Sequence, residues 1–291
     1  MNKLGVHGAV WVGTWSREDC AKAIGASAET GYDFIEVPLL DPFSVDVDFT
    51  RQQLERAGLG MTASLGLDSS TDLTSPYAEV VERGEHLLNT AVSVVRDLGG
   101  TDLCGVIHCA MMKYMTPATD AGRESSANAL RRVAEKAKEA GIKLHLEVVN
   151  RYESNLINTG AQAVEMIEMI GADNVAVHLD TYHMNIEEGH VAQAIERCGR
   201  HLGYFHIGES HRGYLGTGTV DFDAAFRALV KIGYDGPIAF ESFSSAVVDP
   251  KLSTMLGVWR NLWSDSKELA THARQFMEAH LLAARLAVAQ R

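Results

Sequence analysis

The sequence predicts an α/β protein, a closed (β/α)8 TIM barrel, and three observations carry that prediction. Eight strand-like apolar segments alternate from end to end with amphipathic helical stretches. No composition break or linker divides the chain, and its first turn, VWVGTWS, lacks the G-x-G-x-x-G pattern of an open doubly wound sheet. A chain of 291 residues also suits one such barrel, which typically takes about 250 residues plus insertions. A single domain spanning 1–291 is therefore expected.

The strand candidates, in order, are LGVHGAV (4–10), FIEVPL (34–39), LGMTASL (59–65), DLCGVIH (102–108), IKLHLEV (142–148), VAVHLD (175–180), LGYFHI (202–207) and PIAFES (237–242). Between them, REDCAKAIGASAETG, SPYAEVVERGEHLLNTAVSVVRDLGG, ESSANALRRVAEKAKEAG, TGAQAVEMIEMIG and VDFDAAFRALVKIG repeat apolar residues at helical spacing. Gly31, Gly58, Gly99, Gly141, Gly171 and Gly233 close such stretches, as expected of the residue that best accepts the left-handed helix end. After Glu241, SFSSAVVDPKLSTMLGVWRNLWSDS reads as a long final loop before a C-terminal helix from about 266. Its Trp259, Leu262 and Trp263 suit a lid, a subunit contact or core packing.

Apolar residues make up 46% of the chain and charged residues 22%, far from the profile of disorder. A net charge of -12 with no basic cluster argues against nucleic-acid partners, whose binding rests on neutralised phosphates. The N-terminal MNKLGVHGAVWVG reads as a first strand rather than a signal peptide, and no segment reaches the roughly 18 apolar residues of a membrane span, so a cytoplasmic protein is expected. Cys20, Cys104, Cys109 and Cys198 form no C-x-x-C pair and read as small buried hydrophobes.

The chemistry gathers at strand ends. Strand five ends at Glu147, strand six at Asp180 and strand eight at Glu241, while strand seven carries His206. Successive separations of 33, 26 and 35 residues are each about one β/α unit, which brings the four to one mouth at the C-terminal face, where this fold keeps its active sites. One acidic residue at a strand end is ordinary; three carboxylates and an imidazole on successive strands would repel one another unless a divalent cation neutralised them. Hard oxygens with one nitrogen and no thiolate suit Mn²⁺ or Mg²⁺, with Co²⁺ or Zn²⁺ as alternatives. Glu153, Asn155, His183, Glu209, His211 and Arg212 follow these strands, and Glu36 ends strand two. Of these, His183 and Arg212 are placed to hold the oxygens of a small polyol. His145, His178 and His201 read as structural, and the glycines of GTG (216–218) as a tight loop ahead of a helix at Asp221 rather than a phosphate cradle.

The motifs LEVVNRYESN, HLDTYHMNIEE, FHIGESHRGYLGTGTVDF and IAFESF resemble the ketose 3-epimerase family (D-tagatose, D-allulose and L-ribulose 3-epimerases) of the xylose-isomerase-like barrels, over nearly the whole chain. The resemblance implies epimerisation of a free ketose at C3. It implies a metal, commonly Mn²⁺, on Glu147, Asp180, His206 and Glu241, with Glu147 and Glu241 as the two bases and Glu153, His183 and Arg212 orienting the sugar. A homodimer or homotetramer is also implied, and the apolar HLLAARLAVA helix is consistent with one. In the first half, Met111, Met112 and Tyr114 would form a soft wall over the far end of the sugar, with Trp11 and Trp15 closing the other side or serving as core. The alternatives are an aldose-ketose or hydroxypyruvate-type isomerase on the same barrel, a metal phosphodiesterase like endonuclease IV, against which the charge of -12 counts, and a non-catalytic binding barrel.

Overall fold

The computed structural model describes residues 2–289. Eight parallel strands, β1 (Leu4–His7), β2 (Phe34–Pro38), β3 (Gly60–Ser64), β4 (Asp102–Gly105), β5 (Lys143–Glu147), β6 (Val175–Asp180), β7 (Leu202–Ile207) and β8 (Ile238–Phe240), close into a barrel in chain order. The last strand pairs with the first, Phe240 opposite Val6. Around them run α1 (Arg17–Thr30), α2 (Val47–Ala57), α3 (Ala78–Asp97), α4 (Asp120–Glu139), α5 (Gly160–Ile170), α6 (Thr181–Glu187), α7 (Val191–Cys198), α8 (Phe222–Lys231), α9 (Pro250–Met255) and α10 (Ser266–Ala289). No helix among the described residues is long and apolar enough to cross a membrane.

All eight expected strands form, most of them trimmed at one or both ends. The first stops at His7: Gly8–Val10 turns into a 3-10 helix because the ring of His7 accepts the Ala9 N–H and draws the chain out of line. The helix ends follow local chemistry. Thr159 and Gln162 form a reciprocal capping box at the start of α5, and Gly171 ends it with φ 70° in the left-handed region. Three helices lie outside the segments read as helical. Asp180 starts α6 by accepting the Tyr182 N–H, α7 buries only Ala194, Ile195 and Cys198, and α9 folds within what reads as a loop, whereas α2 ends at Gly58 as expected.

Because alternate strand residues share a face, the barrel interior is layered. Phe34, Cys104, Tyr204 and Ala239 form one inner layer, with Gly5 small because a Cβ there would fall 2.2 Å from the Phe34 ring. Two residues further along β2, β7 and β8 come Glu36, His206 and Glu241. The larger apolar core lies between strands and helices. Gly105 joins β4 to its loop at φ 114°, where a Cβ would sit 2.3 Å from the Leu65 carbonyl oxygen. Gly105→Ala is expected to cost about 2 kcal/mol or more through backbone strain and the clash, read as a lower urea midpoint at unchanged slope. An unchanged midpoint would refute that account.

Candidate active site

Glu147 ends β5, Asp180 ends β6, Glu241 follows β8 and His206 sits within β7, so the strands deliver the four side chains to one place. One ligand atom from each lies within 4.8 Å of the others, and all four residues are buried. Nδ1 of His206 is 3.6 Å from Glu241 and 3.9 Å from Glu147 and has no hydrogen-bond partner. A buried, unpartnered nitrogen aimed at two carboxylates, with a third alongside, fits a hard divalent cation. These residues could hold one.

The electrostatics agree. Burial, reinforced by Glu241, pushes the Glu147 carboxyl well above its ordinary range, and burial raises Asp180 despite Arg212. Glu241 moves the other way: burial opposes ionisation, but Arg212 and His206 outweigh it and hold the carboxyl low. His206 is pushed up to about 10, with Glu36 and Glu241 overcoming the effect of burial. Within the cluster, Glu241 is thus held ionised by Arg212 and His206, whereas burial opposes ionisation of Glu147 and Asp180.

Arg212 reaches the cluster edge. Its guanidinium donates to Asp180 at 2.8 Å and to Glu241 at 2.5 Å, and lies over the Tyr182 ring at 3.8 Å and the Phe243 ring at 5.3 Å. Its backbone has φ 61°, the one non-glycine residue in the left-handed region among those described. That conformation is held by the Arg212 N–H donating to the Glu209 carbonyl and by Ser242 donating to the Arg212 carbonyl. His183, on α6, accepts the Asn150 backbone N–H at Nδ1 (3.1 Å), and its Nε2 lies 3.3 Å from the Arg212 guanidinium. Nε2 lies 3.6 Å from Glu147 and 3.7 Å from Asp180, and burial holds the ring neutral. Asn150 also donates to Glu153, whose carboxyl is raised by burial.

Glu153, His183 and Arg212 are therefore gathered around the four. Trp15 packs partly buried near Gly8, and its indole N–H has no partner; Trp11 lies in the core. Met112 is 40% exposed, and its backbone N–H donates to the Glu153 carbonyl, so it borders that residue through its main chain. The Tyr114 hydroxyl donates to Asp72 at 2.7 Å, and the residue lines a cavity of about 740 Å³ that Asn155 also lines. Glu209 accepts from Ser210 and Gly216, which makes it the organiser of its loop, and His211 contacts Thr217 in the same loop. The GTG glycines belong to this tight turn, with Asp221 capping α8. His145 pairs with Asp102 at 2.7 Å. In the long final segment Trp263 is buried and donates to Ser242, while Trp259 is 72% exposed. Asn150, Tyr182, Ser242 and Phe243 escaped sequence reasoning. Asn150 and Tyr182 lie inside the informative motifs, but nothing in one sequence marks them as partners of His183 and Arg212.

Residues 24–280 match the family described as xylose isomerase-like TIM barrel. The chain is 53% identical over 281 residues to a ketose 3-epimerase of Arthrobacter globiformis, covering 97% of each protein. It is 51% identical over 276 residues to an L-ribulose 3-epimerase of Methylomonas sp. (strain DH-1), covering 95% of this chain and 96% of the other. A crystal structure of D-allulose 3-epimerase from Methylomonas sp. in complex with D-allulose superposes with TM-score 0.95 at 50% identity, covering 96% of this chain and 97% of that one.

Proposed function

Because the chain belongs to the xylose isomerase-like TIM barrel family, and within it to the ketose 3-epimerases, we propose that it inverts free ketoses at C3 with Glu147 and Glu241 as the two proton-transferring groups. L-ribulose, D-fructose with D-allulose, and D-tagatose are the substrate class. The observation that carries the reading is the convergence of Glu147, Asp180, His206 and Glu241 from four successive strands.

One glutamate takes the C3 proton, and the electron pair of the broken C–H bond passes into a C2–C3 enediolate. The other glutamate returns a proton to the opposite face and re-forms the bond. No oxidant or reductant is needed. A divalent ion on Glu147, Asp180, His206 and Glu241, with Mn²⁺ preferred on this donor set, would supply Lewis-acid stabilisation of the charge developing on the C2 oxygen. His183, through Nε2, and Arg212, through its guanidinium donors, engage oxygens of the sugar. Glu153, with one oxygen engaged by Asn150, has its second free to accept a hydroxyl. The Tyr182 ring, with the Phe243 ring nearby, packs against the Arg212 guanidinium and keeps its donors aimed.

Four buried, unpaired cysteines fit the reducing cytoplasm. Leu282 and Leu286, exposed on α10, support a homodimer or homotetramer.

The function is tested by supplying D-fructose to the Mn²⁺-loaded enzyme in deuterium oxide. Formation of D-allulose with deuterium at C3 is the expected result. Formation of glucose or mannose would instead establish an aldose-ketose isomerase.

A further inference from the structure

The two nitrogens of His206 face different surroundings. Nδ1 is aimed at Glu147 and Glu241, whereas Nε2 lies 2.7 Å from Glu36 Oε2 in β2. The same oxygen accepts the Tyr204 hydroxyl at 2.7 Å, and Tyr204 is 2.7 Å from Thr62 Oγ1 in β3. Tyr204 has one proton, and it goes to Glu36, so Thr62 is the donor to Tyr204. The directions then run from Thr62 to Tyr204 to Glu36, with His206 donating to Glu36 from the other side. These four residues are buried. An ionised carboxylate inside a barrel is costly unless its oxygens are taken up by donors; here two donors converge on Oε2, while Oε1 has no hydrogen-bond partner and faces His7 Nε2 at 3.6 Å. The remaining neighbours of the ring cannot do the same work. His178 meets His206 edge-on at 4.2 Å, but neither of its ring nitrogens has a hydrogen-bond partner. His7 spends Nδ1 on the Ala9 N–H and has Nε2 3.1 Å from Ser64.

We propose that Glu36 is a positioning residue: by accepting Nε2–H it holds His206 in the tautomer and orientation that offer the Nδ1 lone pair to the divalent ion, with Tyr204 and Thr62 fixing the carboxylate. This rests on the reading of Glu147, Asp180, His206 and Glu241 as the metal site. It adds a determinant of metal affinity that lies below the ligands and belongs to β2, β3 and β7. Glu36 closes no contact with the other three ligands among the described hydrogen bonds, so its effect passes through His206.

The test is Mn²⁺ titration of metal-free wild type, Glu36→Gln, Tyr204→Phe and His206→Ala, with free Mn²⁺ read by electron paramagnetic resonance. Glu36→Gln is expected to raise the Kd about 10- to 100-fold, the usual cost of losing the partner of a ligating histidine, and Tyr204→Phe to raise it less. In Co²⁺-loaded wild type the buried Nε2 proton of His206 should give a hyperfine-shifted signal that exchanges slowly with solvent, and Glu36→Gln should shift that signal or lose it to exchange. A purely structural role would lower the melting temperature of the metal-free variant and leave both the Kd and this signal unchanged. A folded Glu36→Gln with wild-type Kd and signal, beside weakened binding in His206→Ala, overturns the role of Glu36 alone. Should Glu36→Gln fail to fold, a wild-type Kd in folded Tyr204→Phe overturns it equally. Equal affinity in wild type and His206→Ala overturns the four-residue site and this role together.

Discussion

Glu241→Gln and Glu147→Gln are each expected to lower epimerisation by at least about 10²- to 10⁴-fold, the range for losing a positioned acid or base. Both glutamates also belong to the candidate metal set, so the losses should fall at the upper end or beyond. The amide keeps the shape of the side chain, and far-UV circular dichroism should be unchanged. The informative feature is asymmetry. If each glutamate serves one face of C3, each variant that retains exchange should wash deuterium into one epimer and not the other, and the two variants should differ in which epimer that is. Either variant keeping turnover within about tenfold of wild type would remove that glutamate from the proton path.

Removal of the divalent ion carries the second large effect. Exhaustive chelation should abolish turnover, and Mn²⁺ should restore it. Stability should fall as well, because an ion at 100 times its Kd stabilises the folded state by about 2.7 kcal/mol through mass action. The structural reason is the concentration of buried carboxylates around Arg212: burial disfavours the ionised forms of Glu147 and Asp180, and a bound cation would offset that cost. A chelated enzyme with full activity and an unchanged melting temperature would refute the metal requirement.

Much of this was legible from one sequence, for reasons that particular residues make plain. Strand ends were readable because short apolar runs stop at a charged residue, and Glu147, Asp180 and Glu241 each stand where such a run ends. Convergence followed from the barrel itself, which places successive strand ends side by side. What was lost depends on contacts across the chain. Glu36 showed as a polar strand residue, but its partner His206 lies 170 positions away, so its place beneath the histidine was invisible. The Tyr114 hydroxyl finds Asp72, 42 residues earlier, a contact that its position in HCAMMKYM does not reveal. The left-handed backbone of Arg212 has no sequence signal, because glycine, asparagine and aspartate are the usual markers of that conformation. α6 was hidden for a different reason: its start is capped by Asp180, a residue already read as a site carboxylate.

The central claim is that Glu147, Asp180, His206 and Glu241 jointly hold one divalent ion. Equilibrium Mn²⁺ binding to metal-free protein, compared with the Asp180→Ala variant, tests it most directly because it depends on no assumption about substrate. One tightly bound ion per wild-type chain, with that binding lost in the variant, is the predicted result. A wild-type chain that binds no ion, or a variant that binds it as tightly, would contradict the account.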